Sequence, residues 1–227
     1  MGIANGYRVT PYVPTALSPM TMNLHTHTAT TKAIGVILAG GKSSRMGTDK
    51  AILRIGNESL LRRARRTLQE AGCGLISVSG HGRQDWSDDI IPDQFRNMGP
   101  VGGIVSALCW AVENAMPDSR LLFVPVDAPL LSTALLTSLC ETAREGDGCC
   151  ISTFPLPLAL RTTESVLKQC AVASLDLAAG AAWSVKRFIE PLALSAIDPD
   201  DAIRHQLVNV NTPAQWETLL RELENRT

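Results

Sequence analysis

The stretch Val36–Ala51, VILAGGKSSRMGTDKA, opens as a buried strand and ends as a cluster of charge. Its first residues are continuously apolar, which suits a strand covered on both faces. Gly40 and Gly41 follow, and then Lys42, Arg45, Asp49 and Lys50 crowd into nine residues. Small residues let a backbone approach phosphate oxygens, while N–H groups and cations neutralise the charge. Arg45 offers a planar fork and Lys50 a mobile point charge. An ordinary glycine turn with surface cations is the plainer alternative. The spacing excludes two familiar phosphate loops. Five residues separate Gly41 from Gly47, which Thr-Asp-Lys follows, so no Walker A loop is present, and no G-x-G-x-x-G occurs here.

Around this loop, strands and helices alternate. Apolar positions at 60, 61, 64, 68 and 71 predict a helix over Ser59–Ala71, with Arg62, Arg63, Arg65 and Arg66 on a solvated face. Leu75–Val78, Arg120–Val126, Cys149–Phe154 and Leu207–Val210 read as strands. Gly102–Asn114, Leu130–Glu145, Glu164–Cys170 and Trp183–Ile189 read as helices. NTPAQWE, from Asn211, predicts a last helix with Thr212 as N-cap and Pro213 in its first position. Such alternation predicts an α/β fold, with a doubly wound, mostly parallel sheet flanked by helices in a single domain. Residues 33–227 form that domain. Residues 1–32, rich in Thr, Pro, Asn and Gly, read as a disordered arm, with Met20 or Met22 as alternative starts.

Composition narrows the function. A chain of 227 residues with 45% hydrophobic content can bury one sizeable core. A net charge of −1 argues against a protein that coats nucleic acid through counterion release, and no aromatics interleave with the arginines of the first helix. The six cysteines lack C-x-x-C spacing and lie in apolar runs, as expected of core residues in a reducing cytoplasm. His25 and His27 lack a nearby third metal ligand. No run reaches the length of a membrane helix.

In an open parallel sheet, ligands bind beyond the carboxyl ends of the strands. Asp127, in PVDAPLL, stands at such an end, as does the glycine loop. It suits either a helix N-cap or a ligand for Mg²⁺, which favours one or two carboxylates together with substrate phosphates.

Taken together, LAGGKSSRMGTDKA, GPVGG, PVDAPLL and NVNTPAQW resemble the MobA family of molybdenum cofactor guanylyltransferases, over roughly residues 33–220. The resemblance implies a Rossmann-like nucleotidyltransferase fold and transfer of GMP from GTP to molybdenum-molybdopterin, with release of pyrophosphate. It implies that Leu38, Ala39, Gly40, Gly41, Lys50 and Asp93 meet GTP, and that Gly102 and Gly103 let the backbone approach the guanine. Arg45, Lys50 and Asp127 would carry catalysis, with Asp127 on Mg²⁺. Asn209 and Asn211 would face the pterin, or serve as structural caps. Other molybdenum cofactor biosynthesis proteins and molybdoenzyme chaperones would be partners, with no nucleic acid or membrane. A molybdopterin cytidylyltransferase of the same fold is the nearest alternative, and a non-catalytic GTP-binding sensor or adaptor the alternative of another class. Ser79 or His81 stands where the family has an Asn, and FPLPLALR (Phe154–Arg161) matches the family's acceptor-side pattern only loosely.

Overall fold

The computed structural model describes residues 33–39, 49–80, 90–95, 97–114, 116 and 118–225. The predicted arm 1–32 lies outside them, as do Gly40, Gly41, Arg45 and His81.

Strand β1 (Ile34–Leu38) is buried along its whole length, as its unbroken apolar run requires. The chain then forms a two-stranded hairpin, β2 (Arg54–Ile55) and β3 (Glu58–Ser59), and enters helix α1 (Leu60–Glu70), whose N-cap Ser59 accepts from Arg62 N–H. Next come β4 (Leu75–Gly80), β5 (Ile90–Pro92), α2 (Gly99–Glu113), β6 (Arg120–Pro125) and α3 (Thr133–Thr142). The second half holds β7 (Gly148–Ile151), β8 (Phe154–Arg161), α4 (Glu164–Ala178), α5 (Val185–Ile189), β9 (Leu194–Ile197), α6 (Asp201–Gln206) and α7 (Pro213–Glu224).

Seven strands form one sheet in the order β5-β4-β1-β6-β8-β7-β9. β5, β4, β1 and β6 run parallel; β8 is antiparallel to both of its neighbours, and β7 and β9 are again parallel. Alternate residues of each strand serve the two faces. Ile37, Leu122 and Val124 pack with α1 and α3. Val36, Leu38, Leu121 and Phe123 pack with α2, α4 and Phe188 of α5. The result is the mostly parallel, doubly wound α/β sheet in a single domain that the pattern predicted.

Most differences from expectation lie in the second half; in the first, β5 was not among the predicted strands. Leu207–Val210 is not a strand: Leu207 caps α6, and Val210 makes one backbone bond, its N–H donating to Asp127 O at 2.9 Å. Val210 is 1% exposed, so its apolarity reflects docking rather than pairing. The strand predicted at Cys149–Phe154 ends at Ile151, and the chain turns at Thr153 (φ 69°) into β8. Pro155 and Pro157 obscure β8 in the sequence, because proline donates nothing to a ladder. The structure pairs Leu158–Leu160 on both sides and keeps the two prolines out of the paired register. Helix α3 begins at Thr133 rather than Leu130, with Ser132 as N-cap. α4 runs eight residues past Cys170, to Ala178. α7 has the predicted Thr212 cap, completed as a capping box by Gln215.

Five of the six free cysteines are buried, and Cys150 is half-buried. Burial pushes the Cys73 thiol up to about 12 and that of Cys149 to about 11. In the native protein at pH 8, iodoacetamide should modify Cys150 first. Cys73 and Cys149 should stay unlabelled until denaturant is added, as peptide mass spectrometry would record. Backbone geometry sets a second test at Gly148, whose φ is 151° and where a Cβ would overlap the carbonyl oxygen of Ala159. Gly148→Ala should lower unfolding free energy by about 3 kcal/mol in urea titrations, because strain and overpacking act together.

Candidate active site

The carboxyl edge of the sheet is tied together at β1. Leu38 O accepts from Val126 N–H at 3.2 Å, and Ala39 N–H donates to Ser79 O at 3.1 Å. These bonds fix where the chain leaves β1, between the ends of β4 and β6. The described chain resumes at Asp49, which caps a short 3-10 turn, Lys50–Ile52, by accepting from Ala51 N–H at 3.0 Å. Ala51 is fully buried beneath this turn, an anchor from which the Lys50 side chain extends.

Lys50 Nζ lies 2.7 Å from Asp127 Oδ2 and 2.6 Å from Asn211 Oδ1. Three segments far apart in sequence therefore meet at one ammonium. The pair is largely shielded, with side-chain exposures of 16% for Lys50 and 19% for Asp127. Asp127 is not a helix cap, since Ser132 caps α3, and Asn211 is not one either, since Thr212 caps α7. Both side chains are instead spent on Lys50. Asn209 is exposed and does not join this cluster.

The Asp127 loop is braced from two sides. Val210 N–H donates to Asp127 O, and Arg63 Nε donates to Pro129 O at 2.6 Å. Arg63 thus departs from the solvated face predicted for it. It belongs to a chain of contacts in which Arg66 meets Glu58 and Glu70, and Thr133 Oγ1 donates to Glu70. The hydrogen bond from Arg66 holds the Glu58 carboxyl below its ordinary range. Sequence periodicity missed Arg63 because it borders the apolar stripe; its place one residue before half-buried Ala64 was the available signal.

On the other side of β1 the site is shaped by close approach. Gly103 leaves room for Ser79 Oγ and Leu38 Cδ2, which would lie 2.6 and 2.9 Å from a Cβ. At Gly102 a Cβ would come within 2.7 Å of the Phe95 carbonyl oxygen. Both glycines let the start of α2 press against β1, β4 and the turn after β5. That turn carries Asp93, whose Oδ1 accepts from Phe95 N–H at 3.1 Å, and Ser106 Oγ bridges Gln94 N–H to Gly102 O. Asp93 and Asp127 follow parallel strands three places apart. At about 4.8 Å per strand spacing the two strands lie roughly 14 Å apart across the sheet.

The donor set at Asp127 suits a cation that arrives with its own ligands. Among the described residues no group of three His, Cys, Asp or Glu side chains could hold a metal alone. A single carboxylate beside a lysine fits a divalent cation that brings polyphosphate oxygens of its own.

Comparison with known proteins bears on the family and the fold. Residues 35–196 match the model of the MobA-like NTP transferase domain. The chain is 36% identical over 190 residues to a molybdenum cofactor guanylyltransferase of Xanthomonas euvesicatoria pv. vesicatoria (strain 85-10), covering 83% of this chain and 94% of that protein. The molybdopterin-guanine dinucleotide biosynthesis protein A of Archaeoglobus fulgidus shares the fold with a TM-score of 0.65 at 17% identity, over 86% of this chain and all of that one (100%). A Mycobacterium tuberculosis H37Rv protein solved in complex with manganese superposes with a TM-score of 0.58 at 15% identity, over 84% of this chain and 99% of that one. The matched domain and the Xanthomonas relative lead to one conclusion: the chain belongs to the MobA-like NTP transferase family and is a nucleotidyltransferase.

Proposed function

We propose that this protein transfers the GMP moiety of GTP to molybdenum-molybdopterin, releasing pyrophosphate and forming the guanine dinucleotide. One observation carries the reading: the ammonium of Lys50 lies between Asp127 Oδ2 and Asn211 Oδ1 at the carboxyl edge of the sheet. The name of the Xanthomonas relative supplies the substrate class.

An ammonium has three N–H donors. With Asp127 and Asn211 accepting two, Lys50 keeps one for a phosphate oxygen. Arg45, from the signature loop, would add its fork on the same phosphates. Leu38, Ala39, Gly40 and Gly41 would line the nucleotide. Asp93 with Gly102 and Gly103 would form the end of the site that takes the base, since the roughly 14 Å between the strands that precede Asp93 and Asp127 suits a nucleotide lying along the edge. Asp127 would hold Mg²⁺, which when bound would neutralise charge on the polyphosphate. Asn209, exposed beside the cluster, would face the acceptor.

The reaction forms a bond between a terminal phosphate oxygen of molybdopterin and the α-phosphorus of GTP. It breaks the bond from that phosphorus to pyrophosphate, which leaves with the electron pair. A phosphate nucleophile is already largely ionised near neutral pH, with a second pKa of about 6, so no side chain has to remove a proton. The chain's own contribution is position and charge, the main terms in phosphoryl-type transfer. Six thiols, none of them in a disulfide, suit a cytoplasmic setting.

Incubating the protein with GTP, Mg²⁺ and molybdenum-molybdopterin should yield the guanine dinucleotide by mass spectrometry, with stoichiometric pyrophosphate. Preference for CTP would overturn the choice of base, and GTP binding without turnover would make the protein a sensor. Asp127→Asn should lower kcat by about 10²–10³. Its circular dichroism and Tm should stay close to those of the wild type, because the amide oxygen can still accept from Lys50.

A further inference from the structure

We infer that Asn211 is a positioning residue for Lys50, acting on the nucleotide side of the site rather than on the pterin. The inference rests on the guanylyltransferase reading above and assigns a role within it.

Asn211 is held more firmly than a surface loop residue needs to be. Its backbone N–H donates to Gln215 Oε1 at 2.8 Å, and the N–H of Thr212 donates to the same oxygen at 3.1 Å. Thr212 Oγ1 in turn accepts from Gln215 N–H at 3.3 Å, closing the capping box of α7. One residue earlier, buried Val210 binds the carbonyl of Asp127. Asn211 Oδ1 is therefore fixed relative to Asp127 by backbone bonds, and both oxygens converge on Nζ of Lys50.

Two fixed acceptors do what one cannot. A lysine side chain has four rotatable bonds, and ordering it costs about 1.5–2 kcal/mol of rotamer entropy. Asp127 alone would pull the ammonium toward itself without setting the direction of its remaining N–H. A second acceptor restricts that rotation and aims the third donor. The chemistry of the second acceptor matters as much as its place. An amide oxygen orients the ammonium while leaving its charge intact, whereas a second carboxylate would cancel the charge that the triphosphate needs. With Mg²⁺ bound, Asp127 would also serve the cation, and the neutral amide of Asn211 would still hold Lys50 toward the phosphates.

The deciding measurement is GTP binding in the presence of Mg²⁺ and the absence of molybdopterin, followed by calorimetry or with a fluorescent GTP analogue. Asn211→Ala should weaken binding about tenfold, the factor carried by one hydrogen bond to a charged group (about 1.4 kcal/mol). In a Lys50→Met background the same substitution should produce no further change, because its partner is already gone. Gln215→Ala, on an exposed face of α7, should weaken GTP binding in the same direction by about threefold by loosening Asn211. Steady-state kinetics should show the Asn211→Ala defect in KM for GTP, with KM for molybdopterin close to wild type. An Asn211→Ala protein that binds GTP as tightly as the wild type, and loses only molybdopterin affinity, would overturn the inference. So would an undiminished effect in the Lys50→Met background. A wild-type chain that bound no GTP would instead overturn the guanylyltransferase reading, and this inference with it.

Discussion

The ion pair between Lys50 and Asp127, shared with Asn211, is the constraint that ties the carboxyl edge of the sheet together. Its partners are 77 and 161 residues apart in sequence, so only a completed fold can assemble it. A charged pair that is more than four-fifths shielded survives only where its geometry is good. Each partner is accordingly fixed by something apolar next to it. Ala51 is buried beneath the turn that carries Lys50, the buried strand β6 ends just before Asp127, and Val210 is buried beside Asn211. The core thus locates the charges, and the charges close the carboxyl edge.

The two walls of the site are built by different physics. On the β6 side, polar bonds brace the loop: Arg63 holds the carbonyl of Pro129, and the C-terminal segment holds that of Asp127. On the β5 side, the wall is built by missing atoms. Gly102 and Gly103 allow α2 to approach the Phe95 carbonyl and the Ser79 hydroxyl at distances that a Cβ would forbid. The family match ends at residue 196, yet Asn211 completes the cluster. The segment beyond the matched domain is therefore part of the framework around Lys50.

Much of this was legible in the sequence, for identifiable reasons. β1, β4 and β6 announce themselves as apolar runs because strands buried on both faces need them. Asp127 stood out because a charge at the end of such a run needs a partner, and Lys50 because it follows a glycine loop suited to phosphate. β8 was hidden by Pro155 and Pro157, and β5 and β9 by their shortness; each is a strand only because a neighbour supplies its hydrogen bonds. Leu207–Val210 misled in the opposite direction. It has the composition of a strand, but docks against the Asp127 loop instead of entering the sheet.

The sequence by itself determined the class of fold, the order of the main elements and the charges at the carboxyl edge of the sheet, since these follow from periodicity and from charge set against apolar surroundings. Tertiary structure alone decided that Lys50, Asp127 and Asn211 share one point, that Arg63 braces a loop 66 residues away, and that Gly102 and Gly103 admit a neighbouring carbonyl and hydroxyl. The physical reason is the same in each case. Periodicity reports which face of an element is apolar, but a hydrogen bond between distant segments depends on register and crossing, which no local pattern encodes.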